Sequence, residues 1–236
     1  KADDSDLSYI QKKGTLVVGI TDYEPMDYQD ENGNWTGFDA EFARAVAEKL
    51  GVEAQFVEID WDNKFFELES KAIDCIWNGM TITDEVTLNT NCTKPYVINA
   101  QVVVMNKLSA PDYDAIELLR TLTFAVEAGS AGEAELKAMD ITDYTAVQSQ
   151  SSALMEVAAG TADACVIDIT MANAMTGEGT GYPDLAIACE LSSEEYGIGF
   201  RKDSDMTAKV NEIMAELMAD GTLDALAEKY SLTLVK

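Results

Sequence analysis

Short apolar runs alternate along the chain with segments whose apolar residues recur every three or four positions, the pattern of strands separated by helices. TLVVGI (15–20) opens the series as a β-branched, buried strand. Asn32-Gly33, between MDYQ and WTGF, predicts a hairpin turn. Asp39 is positioned to cap a helix whose apolar face is Phe42, Val46 and Leu50 and which Gly51 closes. A strand over 52–59, a helix over 62–71 and a strand running into a loop over 72–83 follow. That order implies parallel strands joined by crossover helices.

The rest of the chain repeats the grammar. Strands are expected at 101–106 and 122–129, with a helix opening at GSAGEAELK. A helix over 149–159 precedes a strand over 162–168, and another helix starts near Ile169. Strands at 185–191 and 196–202 lead into a long helix carrying Val210, Ile213, Met214 and Leu217 on one face. Gly221 ends that helix, and Thr222 is expected to cap a short last one. No Ser- or Pro-rich linker divides the chain, so two α/β units are expected to exchange the chain on extended strands. A cleft between two such units is a favoured place for a small ligand.

Composition narrows the function. The 236 residues suit one large domain or two small ones, at roughly 100–200 residues per domain. With 43 acidic and 16 basic side chains the formal charge is −27, which argues against nucleic acid or an anionic membrane as partner. The absence of histidine removes the commonest general base, the commonest zinc ligand and the Ser-His-Asp triad together. Cys75, Cys92, Cys165 and Cys189 form no close-spaced pair, so neither a structural metal nor a cofactor is expected, and the apolar runs around three of them suggest free thiols. No run approaches the roughly 18–20 apolar residues of a membrane-spanning helix. The polar lead KADDSDLSYIQKKG lacks the apolar middle of a signal peptide and reads as the start of a mature or trimmed chain.

Candidate chemistry sits at predicted strand ends. AGSAG (128–132) joins a strand to a helix, but Ser130 has no histidine to activate it, so an anion-binding or structural turn is expected. GEGTG (177–181) lacks the spacing of a dinucleotide fingerprint, and DYQDENGN lacks the alternation of a calcium loop. Asp168 ends an apolar strand, where it either faces the crevice of an open sheet or caps the next helix, and the residues alone leave both open. Tyr23 and Trp61 follow two other strand ends, where aromatic rings either stack on a ligand or pack in the core.

Taken together, GTLVVGITDYEPMDY, NGNWTGFDAEFARAVAEKLG, IDCIWNGMTITDE, TKPY, TADACVID, EEYGIGFRKDS and MADGTLDALAEKY resemble the extracellular solute-binding proteins of polar amino-acid ABC transporters, from about Gly14 to Tyr230. The resemblance implies two α/β lobes, each a mixed sheet flanked by helices, joined by two crossing hinge strands. Lobe one would comprise 1–98 and 194–236, lobe two 102–189, with hinges near 99–101 and 190–195. By the same resemblance Tyr23 and Trp61 wall the ligand side chain, while Asn78, Gly79, Met80 and Thr81 match the segment that meets the amino-acid head group. Asp168 matches the aspartate that pairs with the α-ammonium. Gly129, Ser130 and Ala131 match the turn that holds the carboxylate.

Two positions depart from the pattern. Most members carry an arginine as TxxR after the TIT segment, a fork for the α-carboxylate, whereas here Thr83, Asp84 and Glu85 are followed by Val86. Ala131 lacks the hydroxyl usual at the end of the glycine turn. None of the three arginines, Arg44, Arg120 and Arg201, is expected in the cleft. The resulting expectation is a monomeric binding protein, not an enzyme, that captures an amino acid or derivative by hinge closure and delivers it to an ABC permease. The alternatives are a binder of cationic amines or modified amino acids, and a dehydratase on the same fold. The implied place is outside the cytoplasmic membrane, extracellular or periplasmic, with a lipid anchor upstream of Lys1 as one means of attachment.

Overall fold

The computed structural model describes residues 4–236, so the first three residues of the polar lead lie outside the described residues. The rest of that lead is a helix, α1 (Asp6–Lys13), which the polar composition concealed. Ser5 starts it by accepting the Ser8 N–H, and the fully buried Ile10 anchors it. Then come β1 (Thr15–Ile20), β2 (Tyr28–Gln29), β3 (Trp35–Thr36), α2 (Phe38–Leu50), β4 (Glu53–Glu58), α3 (Lys64–Glu69), β5 (Cys75–Thr81), α4 (Asp84–Asn89) and β6 (Asn91–Cys92). The second stretch holds β7 (Val97–Asn106), β8 (Phe124–Glu127), α5 (Ala131–Ala138), β9 (Tyr144–Val147), α6 (Gln150–Ala159), β10 (Ala164–Asp168), α7 (Ile169–Met175), β11 (Leu185–Phe200), α8 (Met206–Ala219) and α9 (Thr222–Tyr230).

The strands follow the order β4-β1-β5-β11-β7-β10-β8-β9, with β6 on β11. β4, β1 and β5 form one parallel set, and β10, β8 and β9 form another. The long antiparallel pair β7 and β11 joins them, β11 meeting β5 through Tyr196–Gly199 and β7 from Leu185 to Tyr196. This is the mixed, helix-flanked sheet expected of two α/β lobes. Both faces of the parallel sets are covered, as such strands require. Trp77, Phe42, Phe38 and Tyr96 pack on one face of the first set; Ile59, Trp61, Ile73, Ile76, Met80 and Val86 pack on the other.

Three local expectations are corrected. The two strands expected at 185–191 and 196–202 are one strand, β11, because the polar SSEE between them stays paired to β7 through register shifts. Asp39 caps nothing: α2 starts behind Gly37, and the buried Asp39 carboxylate instead accepts the Gly79 N–H at 2.6 Å and the Tyr96 hydroxyl at 2.7 Å. Thr222 is the first residue of α9 rather than its cap; Gly221 holds the cap position and Asp220 accepts the Thr222 N–H.

Candidate functional site

Three strands end at one crevice: β5 at Thr81, β8 at Glu127 and β10 at Asp168. Carboxyl ends of parallel strands are where open α/β sheets present side chains to ligands. A cavity of about 320 Å³ lies there, lined by Trp61, Asn78, Gly79, Met80 and Thr81 from one side and Ser130, Ala131 and Asp168 from the other. That volume suits a small molecule. Tyr23 does not line it; the ring is buried behind Asp168.

Asp168 occupies the N-cap position of α7 but makes no capping bond. Its Oδ2 accepts the hydroxyls of Tyr23 at 2.8 Å and Tyr196 at 2.6 Å, and its Oδ1 accepts Gln101 Nε2 at 2.6 Å. Thr170 ties the two tyrosine hydroxyls together. Burial pushes the Asp168 carboxyl up to about 7, and the Glu194 charge adds to this against the three hydrogen bonds. Asp168 is therefore a buried carboxylate that gains from a cation beside it.

The 78–81 segment turns to protein partners: the Gly79 N–H is taken by Asp39. Asn78 turns its carboxamide away, accepting the Thr21 N–H and donating to Thr21 Oγ1. Gly79 sits at φ 54, and a Cβ there would lie 2.6 Å from the Tyr23 ring. Thr81 donates its hydroxyl to Glu194 Oε1 at 2.6 Å.

On the opposite wall Ser130 caps α5: its Oγ accepts the Glu133 N–H, while Glu133 Oε1 reaches back to the Gly129 N–H. The first N–H groups of α5, at Ala131 and Gly132, have no intrahelical acceptor and sit at the positive end of the helix. Gly129 touches the other side of the cleft, where a Cβ would come within 2.7 Å of Asp62 Oδ1.

Val86 is only 3% exposed and belongs to the apolar cluster with Trp61 and Met80, so the position is built into the wall. None of the three arginines lines the cavity: Arg201 is engaged by Asp6 and Asp74, and Arg44 donates to the Trp35 carbonyl. Four charged residues that sequence reasoning did not place there also line it: Asp84 and Glu85 at the start of α4, and Lys64 and Glu127. Lys64 donates to the carbonyls of Trp61 at 3.2 Å and Gly129 at 3.1 Å, and burial pulls its ammonium down. Glu127 is buried with Oε2 unpartnered; burial and then the Asp168 charge push it up to about 8. Both were readable. Lys64 falls on the buried stripe of α3 four residues before Leu68, and Glu127 ends a strand parallel to the one Asp168 ends.

Among the described residues no group of three or more metal-ligating side chains is assembled, and no helix is long and apolar enough to cross a membrane. Residues 16–233 match the family model of bacterial extracellular solute-binding proteins, family 3. The chain is 31% identical to the L-cystine-binding protein TcyJ of Escherichia coli (strain K12), over 97% of this chain and 87% of that protein. A mutant of ArgBP from T. maritima superposes with a TM-score of 0.89 at 36% identity, covering 95% of this chain and 98% of that one. The ancestral amino acid-binding protein AncCDT-1, a precursor of cyclohexadienyl dehydratase, superposes at 0.87 with 31% identity, over 96% and 99%. The chain belongs to the bacterial extracellular solute-binding proteins, family 3.

Proposed function

We propose that this chain captures a free amino acid or close derivative in the cavity between its two lobes and hands it to an ABC permease, acting as a monomer without catalysis. The observation that carries the reading is Asp168, a buried carboxylate in the cavity wall held by three side-chain donors and placed to receive an ammonium. Gly79 and Thr81 face the head group, Ser130 and Ala131 present the positive end of α5 to the carboxylate, and Trp61 packs on the ligand side chain. Tyr23 acts indirectly, by fixing Asp168. Lobe one comprises 1–98 and 194–236, lobe two 102–189, with hinges near 99–101 and 190–195. A ligand that touches both lobes stabilises the closed state. The amino-acid class is supported by relatives named for cystine and arginine binding. The protein works outside the cytoplasmic membrane, a place supported by its family of extracellular solute-binding proteins.

A thermal-shift screen against the common amino acids, L-cystine, polyamines and betaines tests this. A ligand at about 100 times its Kd stabilises by about 2.7 kcal/mol, roughly 5–10 °C for a chain of this size. A hit among amino acids is expected; hits confined to betaines or polyamines would overturn the amino-acid class. A dehydratase reading has one feature in its favour, the buried Glu127 whose raised pKa keeps a proton in the cavity. Turnover of cyclic carboxylates would support it, and none is expected.

A further inference from the structure

We propose that Lys64 supplies the positive charge for the carboxylate of the bound amino acid, replacing the arginine whose place Val86 takes. The inference rests on the amino-acid reading above and assigns a residue to the half of the ligand that reading leaves without a charged partner.

Lys64 is the one basic side chain lining the cavity among the described residues, and it is only 4% exposed. Its ammonium carries three N–H donors. The two hydrogen bonds it makes go to neutral backbone carbonyls, of Trp61 on one lobe and Gly129 on the other. No carboxylate lies within ion-pair distance of it among the described residues. A buried ammonium without a counter-ion is costly. The carboxylates that act on Lys64 from beyond ion-pair distance are Glu85 first, then Glu127 and Asp62, and burial with the Asp168 charge pushes Glu127 up to about 8. The ammonium thus has no direct carboxylate partner, and its third N–H remains to be offered to a ligand carboxylate.

The position is suited to a carboxylate. Gly129, whose carbonyl Lys64 holds, begins the turn that leads through Ser130 into the free N–H groups of α5. Ammonium and helix terminus thus bring positive charge to the same turn. Val86 lines the same cavity as part of the apolar cluster that holds Trp61 and Met80. Lys64 donates to a carbonyl on each side of the cleft, which fixes its ammonium where the two walls meet.

The test compares wild type with Lys64→Gln by isothermal titration. The probes are the twenty common L-amino acids and L-cystine, each beside its decarboxylated amine, such as agmatine for arginine, cadaverine for lysine and cystamine for cystine. Wild type is expected to prefer the amino acid, and Lys64→Gln to lose about ten- to a hundredfold in affinity for it. Binding of the decarboxylated amine should change by less than about threefold, so the preference collapses. Lys64→Arg, which keeps the charge and serves if Lys64→Gln does not fold, should retain the preference. Equal losses for amino acid and amine, or no loss for either, would overturn the assignment of Lys64 while leaving the binding reading standing. A wild type that binds none of the amino acids would instead overturn the reading on which the assignment rests.

Discussion

Gln101 and Asp168 face each other in register across β7 and β10, and Gln101 Nε2 donates to Asp168 Oδ1 at 2.6 Å. The same nitrogen donates to Glu194 Oε1, also at 2.6 Å, so one amide holds two carboxylates apart and fixes both. Asn99 and Thr81 donate to that same Glu194 oxygen, which links the end of β5 to the long pair β7 and β11. Asp168 is thus aimed by the central strands of the sheet.

Replacing Gln101 by Met should therefore weaken amino-acid binding without emptying the cavity. Loss of one hydrogen bond to a buried charge costs on the order of 1–2 kcal/mol, about five- to thirtyfold in Kd. The Gln101 bond lowers the Asp168 pKa, so its removal also moves the pH at which binding is half-maximal upward. Titrations from pH 6 to pH 9 would read both effects; an unchanged affinity and an unchanged pH midpoint would contradict the link.

The same carboxyls govern the pH dependence of wild type. Asp168 and Asp39 stand at about 7 and Glu127 at about 8, all raised chiefly by burial. A carboxyl raised in the folded state binds its proton more tightly there than in the unfolded chain. Its contribution is fully present below the ordinary carboxylate pKa and is lost as pH rises through the folded value. The ligand-free melting temperature should fall between pH 5 and pH 8. An ammonium ligand binds the ionised Asp168, so its affinity should rise over the same window. Melts with and without ligand at pH 5, 6.5 and 8 check both signs; a ligand-free protein that gains stability across this range would contradict them.

Gly79→Ala should destabilise and cost binding together. Its φ of 54 strains any side chain, and the added Cβ would meet the Tyr23 ring that braces Asp168. A loss of about 1–3 kcal/mol in urea unfolding is expected, with weaker binding because Tyr23 must move. Unchanged stability would show that the ring yields freely.

Much of this was legible in the sequence, and what was missed has physical causes. The strand and helix order could be read because buried parallel strands are continuous apolar runs, as in TLVVGI and ACVID. The SSEE stretch hid the continuity of β11, since its pairing partner rather than its own composition keeps it extended. α4 escaped because a six-residue helix carries little periodicity; Thr83 caps it through the Val86 N–H. Asp39 was placed at a cap by local rules, but partners at Gly79 and Tyr96, remote in sequence, took its carboxylate. At the site, Asp168 stood out as an acid closing an apolar strand, and the structure directs it to Tyr23, Tyr196 and Gln101 instead of a helix cap. Lys64 was passed over because a lysine on a short helix is ordinarily solvated, although its place four residues before Leu68 sets it on the buried stripe of α3.

The central claim is that Asp168 is the ammonium partner of an amino acid held in the cleft. Isothermal titration of Asp168→Asn beside wild type, with the amino acid that gives the largest thermal shift, tests it most directly. The substitution keeps the shape and removes the charge, so affinity should fall by at least about a hundredfold, the effect of uncoupling a buried ion pair of roughly 3 kcal/mol or more. The ligand-free protein should remain folded, because burial already opposes that charge. An Asp168→Asn protein that binds the amino acid as tightly as wild type would contradict the assignment of the site.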